Sequence, residues 1–358
     1  MKELRDRIDK IDREITSLFE QRMDVVKEVI DYKIKQKLPI LNSSREEQVI
    51  EKNTAYLKNA EYAPYLREFY TDLMTVSRKM QADIAGQTSG IAYQGVPGSF
   101  SHEATEKYLA MCHESMTVKN YSTFESLMNA LLNDDVKYIV IPLENTSTGA
   151  VTDVYDLLTQ YDFYINGEVS VKVNHNLLVN EGTKIGDIKE IYSHPQAFMQ
   201  CRDYLHNLSA RQIPHYNTAT SAKFVSESGR HDIAAIASER AAQIYGLKVL
   251  EHNINYNSNN ITKFIILSKQ QCQNPKADKI SVVISIEHRA GSLASILDLF
   301  AKSKLNLTNI QSRPDATNPF EYIFFLDFEG SMADENTRQT VEVLKSKCTK
   351  FKYLGNYI

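Results

Sequence analysis

Arg22 and Lys33 stand where charge is least expected in this chain. Leu4, Ile8, Ile11, Ile15, Leu18, Val25 and Val29 recur at spacings of three, four or seven, the pattern of one helix face, and Arg22 interrupts them. Lys33, eleven residues on, falls about 20° from Arg22 around the helix. Two cations on a face that buries are costly unless they meet an anion or polar partners. A second apolar series, Leu66, Phe69, Leu73, Met80 and Ile84, carries Ser77, with Gln81 four residues on. Arg5 lies about 100° from the seam and points elsewhere, toward a partner chain. Taken singly, the cations could snorkel and Ser77 could bond its own backbone. Together they describe an electropositive pocket with an amide donor, inside a helical dimer.

A second group of polar residues gathers at the ends of apolar runs. Gly95-Val-Pro-Gly98-Ser-Phe-Ser101-His102 leaves free backbone N–H groups, a generic anion site or a structural turn. Glu144-Asn145-Thr146-Ser147-Thr148 places five polar side chains after Tyr138–Leu143, more than a turn needs. Ser193-His194-Pro195-Gln196 follows Ile191, with Pro195 suited to a first helical position and Gln200 four residues after Gln196. Asn217-Thr218-Ala-Thr220-Ser221 and Asn260-Ile-Thr262-Lys263-Phe264 complete the set. Near the C terminus, Gly291-Ser292-Leu293 opens a helix and Gln311-Ser312-Arg313-Pro314 ends a strand. His102, His175, His194 and His215 sit on separate segments without ligand spacing, which favours structural histidines and no metal.

Three kinds of element must position these groups. Residues 1–85 read as nearly all helix, without Gly or Pro before Pro39, so the first helix runs ~35 residues, about 50 Å. A second helix opens near Asn42 or Ser43, where Ser43 and Glu46 have capping-box spacing, and a third runs from about Ala63 to Ala85. The first helix is too long for its two neighbours to cover, which implies a dimer. After the polar linker Gly86–Gly90, strands alternate with helices, an α/β architecture with ligand sites at strand ends. From Lys279 the order βαββαβ gives a ferredoxin-like α+β module.

The composition excludes several classes. At 358 residues the chain carries two or three domains. Net charge is −4, from 41 basic and 45 acidic residues, against bulk nucleic-acid binding. No apolar run approaches the ~20 residues of a membrane span, and the start has no signal-peptide pattern. Cys112, Cys201, Cys272 and Cys348 are far apart without a CxxC pair, which points to reduced thiols in a cytoplasmic protein and no zinc site.

Across residues 1–86, Leu4-Arg5, Gln21-Arg22, Lys33, Arg45-Glu46 and Ser77-x-x-x-Gln81 resemble the helical type of chorismate mutase. The resemblance implies that Arg22 and Arg45 bind the chorismate carboxylates and that Arg5 reaches in from a second subunit. It implies further that Lys33 and Gln81 face the ether oxygen, Glu46 the ring hydroxyl, and that Ser77 and Asn42 line the site. Asn42 stands where members of that family often carry Asp. Residues 90–270 resemble prephenate dehydratase, through YQGVPGSFSHEAT, PLENTSTGAV, SHPQAFMQC and NITKF. That implies two α/β lobes like type II periplasmic binding proteins, with Thr262 as proton donor to the leaving hydroxyl. Asn145, Ser193 and Gln200 would orient prephenate, with Glu144, Lys263 and Phe264 beside them. Lys263 replaces the family's Arg, keeping charge but losing the planar fork. Residues 278–358 resemble the ACT regulatory domain. Gly291, Ser292 and Leu293 with Gln311, Ser312, Arg313 and Pro314 would then form a phenylalanine site at a dimer interface.

The resemblances imply a cytoplasmic homodimer or homotetramer that rearranges chorismate to prephenate and converts prephenate to phenylpyruvate under phenylalanine feedback. No cofactor, nucleic acid or membrane is implied. Two rivals differ from this. One is a dehydratase whose helices only dimerise, which the seam cations disfavour. The other is a non-catalytic amino-acid sensor, which has no use for Thr262 as a proton donor.

Overall fold

The computed structural model of the chain describes all residues except 37–42, 85–89, 113–115, 134, 273 and 316–321. The described residues fall into two compact units, the N-terminal helices and nearly everything from Gly90 onward.

The first unit consists of α1 (Lys2–Gln36), α2 (Ser43–Thr54) and α3 (Ala63–Ile84). At 35 residues α1 has the length that an uninterrupted helical pattern predicts. Its buried residues are Met23, Val26 and Ile30, near its C-terminal end, with Met74 buried on α3. The seam read from the sequence lies elsewhere: Leu4, Ile8, Ile11, Ile15, Leu18, Val25 and Val29 are all at least 40% exposed. Two shorter helices cannot reach along a cylinder of this length, so the stripe stays uncovered in one chain.

The second unit begins with a two-lobed α/β body. Its first lobe holds β1 (Gly90–Gln94), α4 (Phe100–Cys112), β2 (Thr117–Tyr121), α5 (Phe124–Leu132), β3 (Tyr138–Asn145), β4 (Gly149–Ala150), α6 (Thr152–Gln160) and β5 (Tyr164–Lys172). The second lobe holds β6 (Asn176–Val179), β7 (Glu190–Ser193), α7 (Pro195–Gln200), α8 (Arg202–Leu205), β8 (Arg211–Pro214), α9 (Thr218–Ser228), β9 (Ile233–Ala237), α10 (Glu239–Tyr245) and β10 (Lys248–Glu251). The chain then returns as β11 (Ile261–Ser268) to complete the first sheet, in the order β2-β1-β3-β11-β5 with β4 on β3. The second sheet has the order β10-β6-β9-β7-β8. The connections β5–β6 and β10–β11 cross between the lobes, as in type II periplasmic binding proteins. Strand β9, Ile-Ala-Ala-Ile-Ala, is buried along its whole length, as a central strand covered on both faces must be.

Gly98 marks a close approach between the lobes. Its φ is 83°, and a Cβ there would lie 2.9 Å from the Ala241 Cα on α10. Ser238 Oγ donates to the Gly98 carbonyl at 2.9 Å and Tyr245 OH to the Pro97 carbonyl at 2.8 Å. The Gly-rich turn therefore clamps one lobe to the other, rather than presenting an open anion site.

The C-terminal module comprises β12 (Lys279–Ser285), α11 (Ser292–Lys302), β13 (Leu307–Pro314), β14 (Tyr322–Glu329), α12 (Glu335–Lys347) and β15 (Lys350–Tyr357), so its order is βαββαβ. The sheet is antiparallel, ordered β13-β14-β12-β15. Strand alternation divides it into two faces. Ile280, Val282, Ile284, Leu326 and Phe328 pack with Ile296 and Phe300 of α11. Val283, Phe325, Leu354 and Tyr357 join the apolar core of the first lobe. There Phe325 meets Tyr155 of α6 edge to face, ring centres 4.8 Å apart. The edges of two sheets meet as well: Glu168 N donates to the Ile358 carbonyl at 3.2 Å. A Cβ on Gly355, φ 154°, would collide with the Ile165 carbonyl of β5, so only glycine fits.

Candidate active sites

In the helical unit α1 and α3 bring the seam cations to polar partners. Arg22 Nη1 donates to Ser77 Oγ, whose hydroxyl donates to the Leu73 carbonyl at 2.7 Å. Lys33 Nζ donates to Gln81 Oε1 at 3.1 Å. Ser77 and Gln81 lie one turn apart on α3 and are 4% and 7% exposed, so both cations reach into the interhelical space. Burial lowers the Arg22 and Lys33 pKa values, opposed at Lys33 by the Glu46 carboxylate and at Arg22 by Tyr70. No carboxylate among the described residues pairs with Arg22. A desolvated cation without a counterion is a ready anion partner.

Ser77 has its hydroxyl committed on both sides, so it orients Arg22 instead of offering a free group to a ligand. Gln81 accepts from Lys33 through its oxygen, which leaves its NH2 group as the donor. Arg45 and Glu46 sit in the first turn of α2. Asn42 lies outside the described residues. Arg5, exposed on α1, is 17 residues before Arg22, about 26 Å along the helix axis at 1.5 Å per residue. It cannot enter the pocket of its own chain.

The second site is the cleft between the α/β lobes, a cavity of about 460 Å³. Its walls include Asn145, Thr148, Thr262, His175, Gln200 and His194. Asn145 ends β3 and lies opposite Thr262 in the β3–β11 register. The Asn145 Nδ2 group donates to Thr262 Oγ1 at 2.8 Å and to Asn260 Oδ1 at 2.7 Å. Asn145 Oδ1 accepts the backbone N–H groups of Ser147 at 2.9 Å and Thr148 at 3.0 Å. From the second lobe Gln200 Oε1 accepts from Asn260 Nδ2 at 3.1 Å and meets His175 Nε2 at 2.8 Å. His175 is buried beside the edge of Phe100, and that burial drives its pKa down to about 4, against the Gln200 bond. The imidazole is thus neutral at pH 7.

An amide nitrogen cannot accept a hydrogen bond, so Thr262 Oγ1 is the acceptor from Asn145. Its own hydrogen is left for another group in the cleft. The site therefore offers a hydroxyl donor and the Gln200 amide toward a bound molecule.

Four of the expected prephenate residues lie elsewhere. Ser193 is fully buried and its hydroxyl donates to the Ile236 carbonyl of β9 at 2.7 Å. It braces β7 against β9 and does not line the cleft. Lys263 and Glu144 pair with each other at 3.3 Å on neighbouring strands, and neither lines the cleft. The strand period explains this: a neighbour of Thr262 on β11 must face the other side of the sheet. Phe264 is buried core, 2% exposed. Sequence reasoning gave no part to Asn260, and took His175 for a structural histidine. Their place at the two lobe crossings is a matter of topology, which no local motif announces.

In the C-terminal module Gly291, φ 85°, caps α11. Ser292 Oγ is buried without a hydrogen-bond partner. Arg313 on β13 is committed: its guanidinium takes both oxygens of Asp156 on α6, at 2.9 and 2.6 Å. Gln311 Nε2 donates to the Ser312 carbonyl. No hydrogen bond among the described residues joins the Gly291–Leu293 turn to Gln311–Pro314. Asp327, buried on β14, bonds Ser281 and Asn309, and burial raises its pKa. No group of three or more His, Cys, Asp or Glu among the described residues could hold a metal ion, and no described helix is long and apolar enough to cross a membrane. All four cysteines are free.

Both segments have counterparts in known proteins. The family described as Prephenate dehydratase matches residues 91–272, and the one described as Chorismate mutase type II matches residues 4–82. A Bifunctional chorismate mutase/prephenate dehydratase of Aquifex aeolicus is 30% identical over 366 residues, spanning 100% of this chain and 97% of that protein. Arogenate dehydratase/prephenate dehydratase 1, chloroplastic, of Arabidopsis thaliana is 36% identical over 81% of this chain and 78% of its own. Among solved structures, the prephenate dehydratase of Arthrobacter aurescens in complex with L-Phe matches with a TM-score of 0.68 and 28% identity, over 75% of this chain and 89% of that one. Both family matches, and the end-to-end likeness to a relative carrying the two activities, lead to one conclusion: the chain belongs to the bifunctional chorismate mutase/prephenate dehydratase family.

Proposed function

We propose that the helical pocket rearranges chorismate to prephenate and that the cleft turns prephenate into phenylpyruvate. The observation that carries the second reaction is the Asn145–Thr262 bond, which leaves the threonine hydrogen free inside a polar cleft. When the carboxylate departs as carbon dioxide, its bonding pair moves through the ring and expels the hydroxyl. Thr262 donates its proton to that departing oxygen, which leaves as water, and the threonine regains a proton from solvent water, while Gln200 holds the substrate. Ser193, Glu144 and Lys263 shape the strands behind the site.

For the first reaction Arg22, Arg45 and the partner's copy of Arg5 bind the dianion, while Lys33 and Gln81 face the breaking bond. Positioning and preorganised charge are sufficient for an intramolecular rearrangement. The exposed apolar stripe of α1 supports a homodimer through this helix, and a second interface through the C-terminal module would make a tetramer. The chain divides functionally at 1–86, 90–270 and 278–358. The last segment we read as a ferredoxin-like ACT domain in which Gly291–Leu293 and Gln311–Pro314 bind phenylalanine, the end product. The L-Phe held by the Arthrobacter relative supports that choice of effector. A cytoplasmic location fits these substrates.

The test supplies purified protein with chorismate and, separately, prephenate, with and without phenylalanine. Formation of prephenate and of phenylpyruvate is expected, the latter slowed by phenylalanine. Turnover of neither substrate overturns the reading.

A further inference from the structure

The polarity of the hydrogen-bond chain across the cleft can be read outward from one fixed end. The backbone N–H groups of Ser147 and Thr148 can only donate, so the Asn145 atom they meet is its oxygen. Asn145 therefore presents its NH2 group to Asn260, whose accepting oxygen turns its own NH2 group toward Gln200. Gln200 must meet Asn260 with oxygen, and that same oxygen faces His175 Nε2 at 2.8 Å. An oxygen there requires a proton on Nε2. The second ring nitrogen, Nδ1, is buried with no hydrogen-bond partner, so nothing favours the opposite tautomer. Two donors are left without a partner among the described residues: the Gln200 NH2 group and the Thr262 hydroxyl. Both belong to residues lining the cleft.

We propose that His175 is a positioning residue of the dehydratase reaction, holding Gln200 so that its amide NH2 group, not its oxygen, meets the substrate. The inference deepens the dehydratase reading and rests on it. Asn260 alone leaves Gln200 with one bond at the outer end of the chain. His175 supplies the second and comes from the other lobe crossing, so Gln200 is fixed from two sides. If the amide reversed, its oxygen would face the carboxylates of an anionic substrate, and its NH2 group would oppose two donors.

The test compares the full-length H175Q and H175M proteins, whose side chains have similar length but differ in carrying a donor. With prephenate, H175M should lose about 10- to 100-fold in kcat/KM, the range for one misplaced polar contact in a closed site. H175Q should recover most of that loss, and chorismate turnover of both should match the parent. In a Q200A background H175M should cost less than about twofold, since two residues acting through one contact do not add. An equal loss in both backgrounds, or none in either, overturns the proposal. If H175M does not fold, H175N serves, because its shorter amide cannot reach Gln200; parent-like kcat/KM in H175N then overturns it. Nitrogen-15 NMR of histidine-labelled protein gives a readout free of turnover. The signal lost in H175Q should show a protonated Nε2 and a bare Nδ1 at pH 7; the reverse pattern overturns the proposal. An inert parent protein on prephenate would instead remove the dehydratase reading itself.

Discussion

At the scale of single residues, the two sites use one device: a side-chain oxygen is occupied so that the opposite donor is presented. Lys33 does this to Gln81, and Asn145 leaves Thr262 with only its hydrogen to give. Thr262→Ala should therefore lower kcat for prephenate by about 10²- to 10⁴-fold, the span of proton-donor contributions, and leave chorismate turnover unchanged. Assays of the two reactions on one preparation check this, and loss of both in a folded protein would contradict separate sites. His175 carries a second consequence. With its folded pKa near 4 and an ordinary value of 6.5, the unfolded chain binds a proton between those pH values that the folded chain refuses. Its contribution is complete above pH 6.5, and about 3 kcal/mol is lost as pH falls to 4. Urea midpoints of the α/β unit should decline over that window and decline less in H175Q.

Individual elements show how much the sequence could tell. The length of α1 was legible because no Gly or Pro interrupts it, and β3 and β7 because their apolar runs end in polar turns. Strands β2 and β8 were not: neither carries a buried residue to signal a strand. Candidate residues followed the same rule. Thr262 and Asn145 were legible from motifs, but Lys263 was misplaced although strand alternation next to Thr262 already sends it to the other face. Helix α6 is the element that joins the cleft to the C-terminal sheet. Its start, Thr152 and Asp153, lines the cleft, while Tyr155 and Asp156 hold Phe325 and Arg313 of the C-terminal sheet. Arg313→Met should alter stability by about 1 kcal/mol or less, since Asp156 is 45% exposed, yet shift the phenylalanine concentration for half-inhibition severalfold. A dose curve on prephenate turnover measures it; an unmoved curve would disconnect α6 from the effector. Gly355→Ala, forced against the Ile165 carbonyl, should cost about 1–3 kcal/mol, read from the thermal midpoint.

For the whole molecule, the near-neutral charge coexists with local, partly buried cations such as Arg22 and Lys33. The proposed helical dimer rests on the uncovered stripe of α1. Placing Asp at Ile11 and Leu18 together should break the helical interface, which sedimentation would report as a smaller species. Chorismate turnover should fall with it, because Arg5 can serve only a neighbouring chain, while prephenate turnover persists. Retained chorismate turnover in a monomer would show that each chain completes its own pocket.

The double duty of α6 also bears on how such a chain can be recombined. A regulatory module joined only by a linker can be exchanged like a cartridge. Here the C-terminal sheet shares an apolar core with the first lobe and grips a helix whose other end lines the cleft. A chimaera that imports a foreign C-terminal module must therefore bring α6 and the edge of β5 with it. Inheritance of the C-terminal module and of this wall of the cleft is consequently linked, and the two are expected to diverge together.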